Sequence, residues 1–246
     1  MMTDRPTVLV PLQVLEGESI PEGVPRLLSG AHVIVLGYHV VPEQTATEQA
    51  REQFADRANE RLEAFEAMFE EAGAVAESRL VFTHEAQTTI NRVLVEEECL
   101  VVLIPKATPP VEDVLVPVRG TVGRDRLVRV IVALFDRSEA TITLFHVPEG
   151  ETEDSEITTL LGGLEAELVE AGIDRSRIRT QVADATKPLR AIESAAEAAD
   201  VVIMGESDPS VATYVFGLPE EQLAAQFLGP VLVVQRPPPE EGGAEA

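Results

Sequence analysis

The chain has 246 residues, 45% of them hydrophobic, which supports one large or two small packed domains and excludes wholesale disorder. It carries 43 acidic residues against 19 basic ones, a net charge of −24, and its lysines are reduced to Lys106 and Lys187. A polyanion binder needs clustered Lys and Arg to release counterions, so DNA and RNA partners are excluded. Concentrated salt screens such self-repulsion, so the lysine-poor acidity points to the cytoplasm of a salt-accumulating organism.

The start, MMTDRPTVLV, has no signal-peptide layout and runs directly into a strand over Thr7–Leu12. Pro21 and Pro25 leave only a poor first helix before the strand-like run His32–Val41. A long amphipathic helix follows, with Phe54, Leu62, Phe65, Met68, Phe69 and Ala72 at helical spacing and Gly73 as its stop. Leu100–Ile104 forms the last strand of this half, and Cys99 beside it is expected to be a buried structural thiol. Val114–Val118 opens a second series. Within it Ile142–Val147 is a strand, and Ile157, Leu160, Leu161, Leu164 and Leu168 stripe a helix closed by Gly172. A further helix begins at Pro188 and precedes the strand Val201–Gly205; a short helix from Pro219 to Gly229 leads into a fifth strand, Val231–Val234. No apolar stretch approaches the ~20 residues of a membrane span, so the chain is expected in the cytoplasm and not inserted in a membrane.

The two series repeat one another. Thr7–Leu12 matches Asp113–Val118, His32–Glu43 resembles Ala140–Glu149, Glu71-Ala72-Gly73 recurs as Glu170-Ala171-Gly172, and Leu100–Pro105 as Asp200–Gly205. The order is conserved at offsets near one hundred, which marks a tandem repeat. Alternation of strand and helix predicts an α/β fold with doubly wound parallel sheets and right-handed crossovers. The expected units are 1–106, a truncated one lacking strand five, and 113–236, joined by a linker at 107–112. The Pro, Gly and Glu tail 237–246 is expected to be disordered.

These residues resemble the universal stress protein family. Its first-strand pattern Val-x-Val-Pro-Val-Asp-Gly-Ser is met by Val114–Thr121, its second-strand ending by Phe145-His146-Val147 and Tyr38-His39-Val40, and its fourth strand and loop by Asp200–Asp208. The family ending Cys-Pro-Val-Leu-Val-Val is matched by Gly229–Val234. The resemblance implies strand order 3-2-1-4-5 in the second unit. It also implies a nucleotide site formed by Pro117, Val118, Arg119, Gly120, Val147, Gly205, Glu206, Ser207, Asp208, Gly217 and Leu218. Glycines there let backbone N–H groups crowd a phosphate. The chemistry has changed, however. Asp208 stands at a glycine position, Gly217 falls one residue early, Leu218 replaces a hydroxyl, and Arg119 replaces the acid on the adenine side. Two readings follow: Arg119 pairs with Glu206 or Asp208 and fills the crevice, or it grips the phosphate of another anionic ligand.

No HExxH, Walker, G-x-S-x-G or early Gly-x-Gly-x-x-Gly pattern occurs, and the four histidines lie on separate strand-like segments. The expectation is therefore a universal-stress-type accessory or regulatory protein rather than an enzyme. It would act on a protein partner, with no cofactor or only weak binding of ATP or AMP. Alternatives are a detached regulatory subunit of a membrane transporter and a weak nucleotide binder with residual hydrolase activity. Because family members dimerise through strand five, Val231, Leu232, Val233 and Val234 are expected to pair two chains. The alternative is that the first unit covers that edge internally.

Overall fold

The computed structural model describes residues 5–120, 123–148, 153–183, 188–205 and 229–235. In the first half of the chain these form β1 (Thr7–Gln13), α1 (Val24–Leu27), β2 (His32–Val40), α2 (Thr47–Glu71), β3 (Val75–Thr83), α3 (Ala86–Glu96) and β4 (Val101–Ile104). The second half supplies β5 (Asp113–Pro117), α4 (Arg124–Phe135), β6 (Thr141–His146), α5 (Asp154–Glu170), β7 (Ile178–Val182), α6 (Pro188–Ala196), β8 (Val201–Gly205) and β9 (Val231–Val234). Except for Gly229, the helix expected over 219–229 lies outside the described residues, as does the acidic tail.

The strands form one nine-stranded sheet in the order β3-β2-β1-β4-β9-β8-β5-β6-β7. Every neighbouring pair is parallel except β4 with β9, which is antiparallel. The second half thus has the expected order 3-2-1-4-5, and the first half has 3-2-1-4. The central strands β4, β8 and β9 are almost wholly buried, as their unbroken apolar runs require.

β9 is hydrogen-bonded on both edges, to β8 and to β4, with Val101↔Val234, Val102↔Val233, Leu103↔Leu232 and Ile104↔Val231 in register. This corrects the expectation that a second chain pairs along Val231–Val234. An apolar edge strand demands cover, and β4, itself the open edge of a half lacking a fifth strand, provides it within one chain.

One face of the sheet carries a core continuous across both halves. Leu62, Phe65 and Phe69 of α2, Val130 and Ile131 of α4, and Leu161, Leu164 and Leu168 of α5 belong to the same buried cluster as Leu103 and Leu232. The opposite face is covered separately, by α3 over Leu9, Ile34 and Leu36, and by α6 over Leu115, Phe145 and Val202. Each fully buried Leu, Ile or Phe contributes about 1.5–3 kcal/mol by leaving water. The glycine stops behave as expected: Gly73 and Gly172 sit at φ of +99° and +114° after α2 and α5. The apolar stripe of α2 is narrower than its sequence implies, since Met68 is 40% exposed.

The halves meet through close backbone contacts. A Cβ on Gly30 would lie 2.2 Å from the Ala133 carbonyl oxygen of α4, and one on Gly23 would lie 2.1 Å from the Thr108 carbonyl oxygen. Thr108 is buried; its N–H donates to the Glu22 carbonyl (3.0 Å) and its hydroxyl reaches the Asp200 carbonyl (3.4 Å).

Candidate functional site

In open α/β sheets ligands sit beyond the carboxyl ends of the strands, where the strand order reverses. In the second half that place lies between β5 and β8. Pro117 and Val118 are buried there, Arg119 and Gly120 are exposed, and Gly205 ends β8. Val147 is buried in the cluster that includes Met204, Phe145 and Ile192, so its side chain packs beside the crevice. The sheet therefore gathers Pro117, Val118, Arg119, Gly120, Val147 and Gly205 at one end. Glu206, Ser207, Asp208, Gly217 and Leu218 lie outside the described residues, as does any pairing of Arg119 with them.

The end of β5 is clamped to β6. The Val118 N–H donates to the Phe145 carbonyl at 2.8 Å, and Nδ1 of the buried His146 lies 2.7 Å from the Val118 carbonyl. A carbonyl can only accept, so Nδ1 carries the proton, and Nε2 is buried with no hydrogen-bond partner among the described residues. Both backbone groups of Val118 are thereby used within the protein. Among residues 117–120, 145–148 and 203–205 no carboxylate is present. The described side of the crevice thus gives an adenine amino group no acidic acceptor, and it presents a guanidinium instead.

Beyond Gly120, Gly123 takes a left-handed conformation (φ +73°) and caps α4. Arg124, in the first turn, turns away to α5. It donates to Glu167 at 2.7 Å across Gly163, where a Cβ would stand 2.8 Å from the guanidinium. Behind the crevice, the Asp200 carboxylate accepts the N–H groups of Glu112 (2.8 Å) and Asp113 (3.0 Å), fixing the entry of β5 beside β8. The sequence marks Asp200 as the residue opening strand four; its role as an anchor for strand one is visible only in three dimensions.

The corresponding end of the first half is acidic. The Glu18 carboxylate accepts the Gln13 N–H at the end of β1, while the Glu18 carbonyl accepts from Arg61 of α2. The Gln13 amide nitrogen donates to the Glu16 carboxylate at 2.7 and 2.9 Å. Burial raises the Tyr38 pKa against a hydrogen bond with Gln13 that lowers it, and the Glu18 and Glu16 charges add to the rise. Two carboxylates at a strand end repel a polyphosphate. His39, at the equivalent of His146, instead meets Phe54 and Phe82 edge to face, with ring centroids 6.1 and 6.0 Å away. Among the described residues no group of three or more His, Cys, Asp or Glu is placed to hold a metal ion, and no helix is long and apolar enough to cross a membrane.

The model of the universal stress protein family matches residues 110–235. No curated protein matches the chain. Among solved structures, a universal stress protein from Archaeoglobus fulgidus superposes with a TM-score of 0.63 at 16% identity, covering 94% of this chain and 96% of that one. A functionally unknown protein from Pseudomonas aeruginosa gives 0.47 at 15% identity, over 96% and 94% of the two chains. A universal stress protein in complex with cAMP gives 0.41 at 17% identity, over 52% of this chain and 100% of that one.

Proposed function

We propose that this chain, which belongs to the universal stress protein family, is an accessory or regulatory protein that acts by binding a protein partner, without catalysis and with nucleotide binding weak or lost. The observation that carries this reading is the chemistry of the two strand-one ends. In the second half the backbone of Val118 is consumed by Phe145 and His146 and the charged neighbour is Arg119; in the first half Glu16 and Glu18 occupy the place. Arg119 pairs with Glu206 or Asp208 and partly fills the crevice on this reading. The rival is that it holds the phosphate of an altered anionic ligand.

The chain is further read as two tandem units, 1–106 and 113–236. The order 3-2-1-4 shared by the two halves supports it, as does the antiparallel β4–β9 contact, which occupies the place where strand five of another chain would add. Self-association would then use a surface other than Val231–Val234. The excess of acid over base, with only two lysines, supports a salt-accumulating host.

Calorimetric titration with ATP, ADP, AMP and cAMP in molar KCl tests the reading. Millimolar or weaker affinity for each is expected. Micromolar affinity for ATP would overturn it, and Arg119→Ala distinguishes a filled crevice from a phosphate grip, since only the latter loses affinity with the arginine.

A further inference from the structure

At the opposite end of β5 from the crevice, a cleft of about 910 Å³ opens between α1, the connecting segment 107–111 and the end of α4. Its walls are already tied together. Thr108 is bonded to Glu22 and Asp200, and Gly23 and Gly30 admit the neighbouring backbone of Thr108 and Ala133. The cleft is therefore preformed and spans both halves, and its volume is that of a site for a drug-sized guest.

The lining has two layers. Pro109, Pro110, Val111 and Leu134 line it as exposed or half-buried apolar residues over the buried Leu27 and Phe135, and Glu22, Arg26, Arg137 and Glu139 line it as exposed charges. Acidic residues outnumber basic ones by 43 to 19 in the chain, yet here each sign contributes two. Among the described residues these four charges are not spent on one another. Arg26 makes no ion pair, and Arg137 has only a 3.9 Å contact with its neighbour Asp136. Opposite charges that share a cleft without pairing can each meet a charge on a guest, and the apolar residues between them want an apolar body.

We propose that this cleft binds a short apolar peptide with free termini, its carboxylate taken by Arg26 or Arg137 and its ammonium by Glu22 or Glu139. A guanidinium is the suited partner for the carboxylate because its forked donors match the two oxygens. The cleft's volume of about 910 Å³ exceeds that of one free amino acid, and three or four extended residues set the two termini about 10–14 Å apart. The proposal does not depend on the nucleotide reading above, because it concerns the other end of the second-half strands.

Tri-leucine is the probe, titrated calorimetrically into the full chain at 0.1 M KCl and at the salt concentration that maximises thermal stability. One peptide per chain is expected. N-acetylation and C-amidation should each weaken binding about tenfold or more, and free leucine should bind more weakly than the tripeptide. The Arg26→Glu, Arg137→Glu double variant should lose at least tenfold. Both positions are exposed, so the fold is expected to survive, checked by circular dichroism. Ala107→Trp, a bulky side chain placed in the cleft lining, should abolish binding while leaving the four charges in place. Absence of binding at 10 mM peptide, equal binding of the doubly blocked peptide, or indifference to either variant would each overturn the proposal.

Discussion

Leu103 of β4 faces Leu232 of β9 across the antiparallel ladder, and both side chains are fully buried (0% exposed). The pair joins the last strand of the first half to the last strand of the second, so one sheet runs through the whole chain. Opposed residues in antiparallel strands have Cα atoms about 4.5–5.5 Å apart, within the span a disulfide can bridge. Leu103→Cys with Leu232→Cys, in a Cys99→Ala background, should therefore oxidise within one chain. Mass spectrometry should find a monomer lighter by two hydrogens, and a non-reducing gel a monomer band. A covalent dimer as the main product would mean that strand five pairs between chains.

Gly30 and Gly162 are expected to respond to alanine with opposite signs. At Gly30 the new Cβ meets the Ala133 carbonyl at 2.2 Å, a backbone atom that cannot swing aside, whereas at Gly162 in the interior of α5 nothing lies within 4 Å. Gly30→Ala forces the halves apart locally and should cost about 1–3 kcal/mol. Gly162→Ala gains helix propensity and should stabilise by about 0.5–1 kcal/mol. Paired thermal melts decide the matter; a neutral Gly30→Ala would show that the contact between α4 and the α1–β2 turn is loose.

The legible parts of this fold are those where burial leaves one choice. β4, β5, β8 and β9 read as strands because a strand covered on both faces must be apolar throughout, and α5 reads as a helix because Ile157, Leu161, Leu164 and Leu168 face one core. β7 is hard to read for the converse reason: Arg179, Thr180, Gln181 and Val182 are exposed, so no periodicity is imposed on them. The antiparallel choice of β4 for β9 is also hidden. The sequence shows an apolar edge without saying whether a second chain or the first half covers it. At the site, it is the family resemblance that names Pro117–Gly120, Val147 and Gly205, and the strand order brings the ends of β5, β6 and β8 side by side. The latch from His146 to Val118 needs a side-chain direction that no pattern encodes, and Thr108 and Asp200 act through single polar contacts that leave no periodic trace.

Cys99 should be inert as a thiol. It is buried beside β4, and desolvation, followed by the Glu97 charge, pushes its pKa up to about 12. Since the thiolate is the nucleophile, a disulfide reagent at pH 8 should label the native protein far more slowly than the denatured one. Linkage gives a second readout. The folded thiol holds its proton above the unfolded pKa of about 8.5, so this contribution is complete below that pH and is lost progressively as pH climbs toward about 12. Tyr38 also titrates upward on burial, so the test compares wild type with Cys99→Ala. The stability gap between them should narrow as pH rises from 8 to 11. A constant gap would show that the thiol does not titrate differently in the two states.

Two arginines on the same 3-10 turn, Arg175–Arg177, should differ several-fold in what they contribute. Arg177 donates to the Ala140 carbonyl (2.9 Å), the Phe135 carbonyl (2.8 Å) and the Ser138 hydroxyl (3.2 Å), placing a cation on the C-terminal end of α4. Charge at a helix C-terminus and charged hydrogen bonds both favour the folded state. Removing the donor takes the charged partner from the Ala140 carbonyl, while the Phe135 carbonyl keeps the Ser138 N–H at 3.2 Å. Arg177→Ala should therefore cost about 1.5–3 kcal/mol. Arg175 makes a single 3.0 Å bridge to Glu165, with 71% of its own side chain exposed. Water and salt screen such a pair, so Arg175→Ala should cost about 0–1 kcal/mol and less still in molar KCl. Chemical denaturation of both variants at low and high salt separates the two roles. The Arg177 loss should persist in salt, because its partners are uncharged. A loss at Arg177 that vanishes with salt would mean that long-range charge, rather than the capped carbonyls, is what the side chain provides.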